Sequence, residues 1–137
     1  MITIAQYFGP WRNHPDATPA KFANADRLLD SVNKLMAMAE SDGVEFKTNP
    51  KTGSQVSGTK LGGFRPIDST TGAPKSSHKE ALAVDLYDPD EAIDKWCLDN
   101  LDKLEECGIY LEHPDSTVGW SHWQIRRPGS GNRVFYP

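Results

Sequence analysis

The stretch Ser76-Ser77-His78-Lys79-Glu80-Ala81-Leu82-Ala83-Val84-Asp85 decides how this sequence is interpreted. Its second half continues into residues 83–87, a short, mostly apolar run that predicts a β-strand. His78 then lies on the loop that leads into the strand, and Asp85 lies on the strand itself. Because successive side chains of a strand point to opposite faces, Asp85 shares a face with Ala83 and Tyr87.

A second informative stretch, Trp120-Ser121-His122-Trp123-Gln124, lies within a predicted strand over 119–126. The residues that share one face of that strand are Trp120, His122, Gln124 and Arg126. If the two strands pair, Asp85 and His122 can face each other, and His78 can fold over them. Two imidazoles and one carboxylate suit zinc and leave a fourth position for water. The same residues also allow a structural interpretation, in which a loop histidine and a strand-end aspartate make turn hydrogen bonds.

The rest of the chain predicts an α+β fold, because helices and strands do not alternate regularly. Residues 1–18 have the composition of a loop, and residues 44–75 form a long, irregular segment of the kind that is often functional. We expect a small antiparallel sheet flanked by helices, in a single domain that spans 1–137. The predicted helices cover 19–41 and 89–106, and the predicted strands cover 44–47, 55–57, 83–87, 109–112 and 119–126.

Composition excludes several classes of protein. The chain has 137 residues, of which 37% are hydrophobic and 25% charged, as is typical of a globular domain. Its net charge of −4 and scattered basic residues argue against binding to nucleic acid. The sequence contains neither a long apolar run nor a signal-peptide pattern, so we expect no membrane insertion and no signal peptide. Cys97 and Cys107 are interpreted as buried, unpaired thiols.

A family resemblance connects these stretches. The segment from Ser76 to Asp85 resembles the SxHxxGxAxD signature of zinc D-Ala-D-Ala carboxypeptidases and L-alanyl-D-glutamate endopeptidases, whose fold is shared with hedgehog signalling domains. Trp120-x-His122 is similar to the second motif of that family. Gly62-Gly63-Phe64-Arg65-Pro66 is similar to its "SGYRP" segment. The order and spacing of the three motifs match over residues 55–126, and 130–133 resemble small bacteriophage-encoded members.

The resemblance implies a function and a site. It implies that His78, Asp85 and His122 bind Zn²⁺, that Arg65 engages the substrate near the scissile bond, and that Ser76 hydrogen-bonds beside it. The implied enzyme is a metallopeptidase that hydrolyses peptidoglycan stem peptides or cross-links by metal-activated water. Such a bacteriophage endolysin would be a monomer that resides in the host cytoplasm or the virion and degrades the cell wall from the periplasm. The alternatives are a surface salt bridge for Arg65 and a turn for Ser76.

Two positions depart from the family pattern. The signature glycine is Ala81 here, which is a mild replacement if its φ is negative. Many members have an acidic residue three positions before the last ligand, where this chain has Gly119. Glu112 is our candidate for the missing general base, since its strand could lie beside that of His122; an exposed edge carboxylate is the alternative. Asp115 and His113 are weaker candidates. If none reaches the site, the chain is a catalytically weak or inactive zinc module that recognises a wall peptide or a protein partner.

Overall fold

The computed structural model describes residues 1–73 and 75–137, and within them the chain forms an α+β fold of four α-helices and one four-stranded sheet. Short 3-10 helices at Gly9–Trp11, Ser77–Glu80 and Pro114–Ser116 connect these elements. The α-helices are α1 (Ile4–Phe8), α2 (Pro19–Ser41), α3 (Ala92–Asp99) and α4 (Leu101–Cys107). The strands are β1 (Ala83–Tyr87), β2 (Tyr110–Glu112), β3 (Trp120–Gln124) and β4 (Val134–Phe135).

The sheet has the strand order β1-β3-β2-β4. β1 pairs antiparallel with β3, and the register sets Asp85 opposite His122, which confirms the predicted pairing. β2 also pairs antiparallel with β3, but β4 pairs parallel with β2, so the prediction of an antiparallel sheet was wrong. The reason is that the loop over 125–133 reverses the chain after β3 and returns it on the far side of β2. β4 therefore runs in the same direction as β2.

The long helix α2 begins and ends as the sequence predicts. Thr18 caps it by accepting a hydrogen bond from the backbone N–H of Lys21 at 3.4 Å, and Pro19 occupies the first turn. Each large apolar side chain that α2 buries stabilises the fold by roughly 1.5–3 kcal/mol. No helix of the described residues, α2 included, has the length and apolarity to cross a membrane. The buried residues of α2 are Ala25, Leu28, Leu29, Val32, Leu35, Met36 and Ala39.

The helix predicted over 89–106 is two helices instead of one. Asn100 interrupts it with a φ of −136°, and its side-chain amide donates to the Trp96 carbonyl at 2.8 Å. The first of the two begins at Ala92, because both carboxylate oxygens of Asp88 accept backbone N–H groups of its first turn at 3.0 Å. This capping carboxylate fixes the start of α3 in a way that the helical periodicity does not indicate.

The N-terminal segment is more ordered than its composition predicts. Residues 1–18 contain α1, which begins at a capping box: the Thr3 hydroxyl accepts from the Gln6 backbone, and the Gln6 side chain accepts from the Thr3 backbone. Tyr7 of this helix is buried and donates its hydroxyl to the carbonyl of Ala83, at the start of β1. α1 therefore anchors the strand that carries Asp85.

The two strands predicted between residues 44 and 57 are not formed as strands. Residues 44–47 belong to no ladder, and Val56 makes only a single antiparallel bridge to Leu86 of β1. Turns and side-chain hydrogen bonds of Asn49 and Thr52 hold this segment instead. The segment packs along β1 as an irregular loop.

The two faces of the sheet have different environments. Val84, Leu86, Leu111 and Trp123 point into the hydrophobic core beneath the helices. Residues with the opposite parity, including Asp85 and His122, line a cleft on the other face. Cys97 and Cys107 are free and buried, which confirms their interpretation as core residues.

Asp94 is a buried carboxylate on the core side of the sheet. It is 1% exposed, one of its oxygens accepts from the Thr117 hydroxyl at 3.3 Å, and the other has no partner among the described residues. Burial raises the pKa of Asp94 from its ordinary value of 3.8 to about 6, although hydrogen bonds from Ser121 and Thr117 oppose the shift. The folded protein therefore binds a proton here more tightly than the unfolded chain does.

Replacing Asp94 should change how stability depends on pH. A raised pKa means that the carboxyl lowers the free energy of unfolding as the pH rises from about 4 to about 6, and the loss persists above that pH. Asp94→Asn should become more stable relative to the parent by roughly 2–3 kcal/mol between pH 4 and pH 7. Urea unfolding of both proteins across that pH range measures the difference. Asp30→Asn, an exposed change on α2, is the control, and equal pH profiles for Asp94→Asn and the parent would contradict the assignment.

Candidate metal centre

Three side chains that are distant in sequence converge at the base of the cleft. His78 lies in the 3-10 helix Ser77–Glu80, Asp85 in β1 and His122 in β3, and they are 2%, 7% and 7% exposed, respectively. Asp85 Oδ1 lies 3.2 Å from His78 Nε2 and 2.8 Å from His122 Nδ1. One ligand atom from each residue lies within 4.8 Å of the others, so the group could hold a metal ion.

A main-chain carbonyl fixes the orientation of His78. Its Nδ1 lies 2.8 Å from the carbonyl oxygen of Gly63. A carbonyl can only accept, so Nδ1 carries the proton and the neutral ring presents a lone pair at Nε2, toward Asp85. Gly63 itself packs against the backbone of Tyr7, where only glycine fits, because a Cβ would collide with the Tyr7 carbonyl.

The side-chain amide of Gln124 fixes the orientation of His122. The Gln124 amide nitrogen donates to the Arg126 carbonyl at 2.7 Å, which leaves its oxygen to accept from His122 Nε2 at 2.8 Å. His122 Nε2 therefore carries a proton, and Nδ1 faces Asp85 Oδ1, the same carboxylate oxygen that His78 Nε2 faces. At 2.8 Å from that oxygen, Nδ1 donates when the ring is protonated and presents a lone pair when the ring is neutral.

Two ring nitrogens and a carboxylate oxygen thus face one another in a buried place, and their contacts require a proton or a cation among them. The three donor types are those of zinc sites, in which ring nitrogens typically donate their second N–H to a carbonyl or carboxylate. Ligands of a tetrahedral zinc lie about 3.3 Å apart, close to the 3.2 Å and 2.8 Å that separate Asp85 Oδ1 from the two ring nitrogens. The residues therefore fit a metal ion.

The ionisation behaviour of the cluster follows from the same contacts. Burial acts to raise the pKa of Asp85, but the two imidazoles, His78 foremost, outweigh it and hold that pKa well below its usual range. Burial lowers the pKa of His78 in spite of the nearby Asp85 carboxylate. Burial also acts to lower the pKa of His122, but its hydrogen bond with Asp85 prevails and raises that pKa. Asp85 is therefore ionised at neutral pH.

Arg65 lies behind the three candidate ligands. Its Nη2 donates to Asp85 Oδ2 at 3.2 Å and its Nε donates to the Leu61 carbonyl at 2.7 Å. The sequence predicted a residue that engages the substrate, whereas these contacts make Arg65 a support for the carboxylate that both imidazoles face. Its Nη1 is directed toward Gly72, on the wall of the cleft.

Glu112 lies beside the cluster. The register of β2 against β3, continued by one residue, sets Glu112 opposite His122, and its side chain lines the cleft. Burial raises the pKa of Glu112, while the charge of His122 opposes the shift. Among the residues that the structure describes, Glu112 and Asp85 are the only carboxylates that line this cleft.

The other predicted positions fall as follows. The Ser76 hydroxyl accepts from the His78 backbone N–H at 3.3 Å and lines the cleft, so it orders the histidine loop. His113 stacks on Tyr136 at 4.5 Å and, like Asp115, does not line the cleft. Ala81 has a φ of +57°, so the condition under which alanine mildly replaces glycine is not met.

The cleft that contains these groups has a volume of about 610 Å³. The three candidate ligands lie on its floor, and residues 71–73, 75–77 and 126–129 form two of its sides. Phe135 and Tyr136 of the C-terminal segment form another wall. The opening is large enough for a peptide segment rather than for a single small ion.

No protein-family model, curated protein or solved structure matches this chain.

Two supporting residues escaped the sequence analysis. Gln124 was placed on the same strand face as His122, and a polar residue two positions after a ligand on that face is a signal that could have identified it. Gly63 acts through its carbonyl, which the identity of a side chain does not reveal. Both set the tautomer of a histidine.

Removing the Gln124 amide should weaken metal binding. Gln124→Met keeps a similar volume but loses the acceptor for His122, so the ring can place its proton on Nδ1, where the metal would bind. We expect the affinity for Zn²⁺ to fall roughly 10–100-fold, measured by competition with a chromogenic chelator. Gln55→Ala, outside the cleft, is the control. An unchanged affinity in Gln124→Met would show that the amide does not select the tautomer.

Proposed function

We propose that this protein is a zinc-dependent peptidase that hydrolyses a peptide bond in bacterial peptidoglycan stem peptides or cross-links. The observation that carries the proposal is the convergence of His78 Nε2, His122 Nδ1 and Asp85 Oδ1 on the floor of an open cleft, next to the separate carboxylate of Glu112. Three protein ligands leave a coordination position open, as in catalytic rather than structural zinc sites.

The metal and the protein side chains have separate tasks in this proposal. Zinc in such a site supplies a Lewis acid that polarises a carbonyl and lowers the pKa of a water molecule. Glu112 accepts the proton of the attacking water and delivers it to the leaving amine. A half-buried carboxyl with a raised pKa suits both transfers, since efficient general bases have a pKa closer to the working pH than an exposed glutamate has.

Arg65 has two tasks in the proposed reaction. Nη2 holds Asp85 Oδ2, which keeps Oδ1 directed at the two imidazoles. Nη1 faces the cleft wall and is available to a carbonyl or carboxylate of the substrate near the scissile bond. The planar guanidinium can do both at once because its donors point in fixed, divergent directions. Ser76 keeps the His78 loop in place.

The proposal extends to the family and the biological setting. The three motifs that resemble zinc D-Ala-D-Ala carboxypeptidases meet at one site, which supports a fold of the hedgehog and DD-peptidase type. By the same resemblance we infer a monomeric bacteriophage endolysin that acts on the cell wall in the periplasm. Either carboxypeptidase or endopeptidase action is compatible with an open cleft.

Zinc should bind at the three ligands and stabilise the fold. At a free zinc concentration about a thousandfold above the dissociation constant, the free energy of unfolding should rise by about 4 kcal/mol. Asp85→Asn should weaken zinc binding at least about tenfold, because it removes the only anionic ligand. Calorimetric titration with thermal unfolding measures both effects. Asp115→Asn, outside the cleft, should bind zinc as the parent does. If Asp85→Asn also binds zinc as tightly as the parent, this centre is excluded.

Catalysis should require Glu112, whereas zinc binding should not. Purified peptidoglycan treated with the zinc-loaded protein should release peptides with new amino termini, and a chelator should abolish the release. Glu112→Gln should lower the turnover rate roughly 10²–10⁴-fold while zinc affinity is retained. Glu106→Gln, an exposed change on α4, should keep the parent rate. Full activity in Glu112→Gln would require another base.

A second function is the alternative because Gly119 occupies the position at which many members of the resembled family have an acidic residue. If the protein binds zinc but the parent releases no peptide from any wall preparation, the chain is a zinc-containing module that recognises a wall peptide or a protein partner. Sedimentation with insoluble peptidoglycan then measures that recognition. The presence of Glu112 in the cleft favours the enzyme, since a binding module has no use for a half-buried carboxylate beside the metal ligands.

A further inference from the structure

The cleft has an electrostatic character opposite to that of the whole chain. Among its lining residues that the structure describes, Asp85 and Glu112 are the acidic ones. The basic ones are Arg65, Lys75, Arg126 and Arg127. The chain as a whole has a net charge of −4. Basic residues are therefore concentrated in a concave surface, where their field is strongest.

Three of these cations have no acidic partner among the described residues. Arg65 is engaged with Asp85, but Lys75, Arg126 and Arg127 make no ion pair within residues 1–73 and 75–137. A main-chain group holds Arg126: its Nη1 donates to the Lys75 carbonyl at 2.7 Å, which joins the two sides of the cleft. Within the part of the chain that the structure describes, the other guanidinium donors of Arg126 have no hydrogen-bond partner.

Arg126 and Arg127 differ in direction. The guanidinium of Arg127 packs over Gly131, since a Cβ there would lie 2.6 Å from its Nη2. Arg127 is thus directed at its own loop. Arg126 instead reaches across to Lys75, and its carbonyl holds the Gln124 amide that supports His122. Of these two arginines, Arg126 is therefore the one that is linked to the metal centre, through Gln124.

The position of Arg126 determines what it can contact. It follows β3 four residues after His122, which corresponds to a separation of at most roughly 13 Å along the strand direction. An extended substrate whose scissile carbonyl lies at the metal centre could place a group of a more distant residue at Arg126. Arg65 Nη1 is the donor nearer to the scissile bond.

We propose that Arg126, together with Lys75, forms an anion subsite that recognises a carboxylate of the peptide substrate more than one residue from the scissile bond. This inference rests on the proposed peptidase function. A carboxylate matches the fork of donors on arginine, and the charge-assisted hydrogen bonds are stronger than those to a neutral amide. The subsite thus selects acidic peptides over their amidated forms.

The experiment compares two synthetic stem peptides with the zinc-loaded protein. One contains γ-linked D-glutamate with a free α-carboxylate, and the other contains the same residue as its carboxamide. We expect the parent to prefer the carboxylate peptide by roughly tenfold in kcat/KM, which corresponds to about 1.4 kcal/mol. Arg126→Gln should remove this preference, so that the ratio of the two kcat/KM values falls to about one.

Arg127→Gln is the matched control, since it removes the same charge from the next residue and should keep the preference. The inference is overturned if the parent does not discriminate between the peptides, if Arg126→Gln slows both equally, or if Arg127→Gln removes the preference to the same extent. The last result would indicate that the preference comes from the overall positive potential of the cleft and not from Arg126.

Binding separates this inference from the proposed function. If the parent cleaves neither peptide, the peptidase proposal fails, and calorimetry then measures the affinity of the zinc-loaded protein for each peptide. Tighter binding of the carboxylate form that Arg126→Gln abolishes supports the subsite in a non-catalytic protein. Equal affinities for the two peptides refute it.

Discussion

The register between β1 and β3 is the constraint on which the rest of this structure depends. It sets Asp85 opposite His122, and a slip of one residue would turn every side chain of one strand to the other face. Trp123 and Val84 prevent such a slip, because both are fully buried on the core side and would then point into the cleft. Packing on one face of the sheet thus specifies the chemistry on the other.

The sequence predicted those parts of the fold that local patterns determine. The 23-residue helix α2 was predicted with its bounds, since it has a capping threonine, a proline in the first turn and a continuous apolar stripe. The break at Asn100 was missed because the apolar periodicity continues through it. β4 was not among the predicted strands, and its parallel pairing depends on where a loop returns the chain. Contacts distant in sequence decide such features.

The candidate site was predicted as a set of residues, but less completely as a set of contacts. His78, Asp85 and His122 converge as the strand pairing and the resemblance predicted. Arg65 was predicted to bind a substrate, and the structure shows that it also pairs with Asp85, since burying an uncompensated carboxylate is unfavourable. The tautomers of the two histidines depend on the Gly63 carbonyl and the Gln124 amide. A motif identifies ligands, whereas hydrogen bonds to the main chain set the direction in which they point.

The cluster is hard to explain as a device for stability alone. Asp85 and His122 are buried on paired strands, where valine or isoleucine would contribute favourable burial at no electrostatic cost. Hydrogen bonds on the far side of each imidazole keep its second nitrogen directed at Asp85 Oδ1. In that orientation each neutral ring offers a lone pair toward the carboxylate, and His122 donates to it when the ring is protonated. The neutral rings and the carboxylate thus place three acceptors around one point, which is the arrangement that a cation site requires.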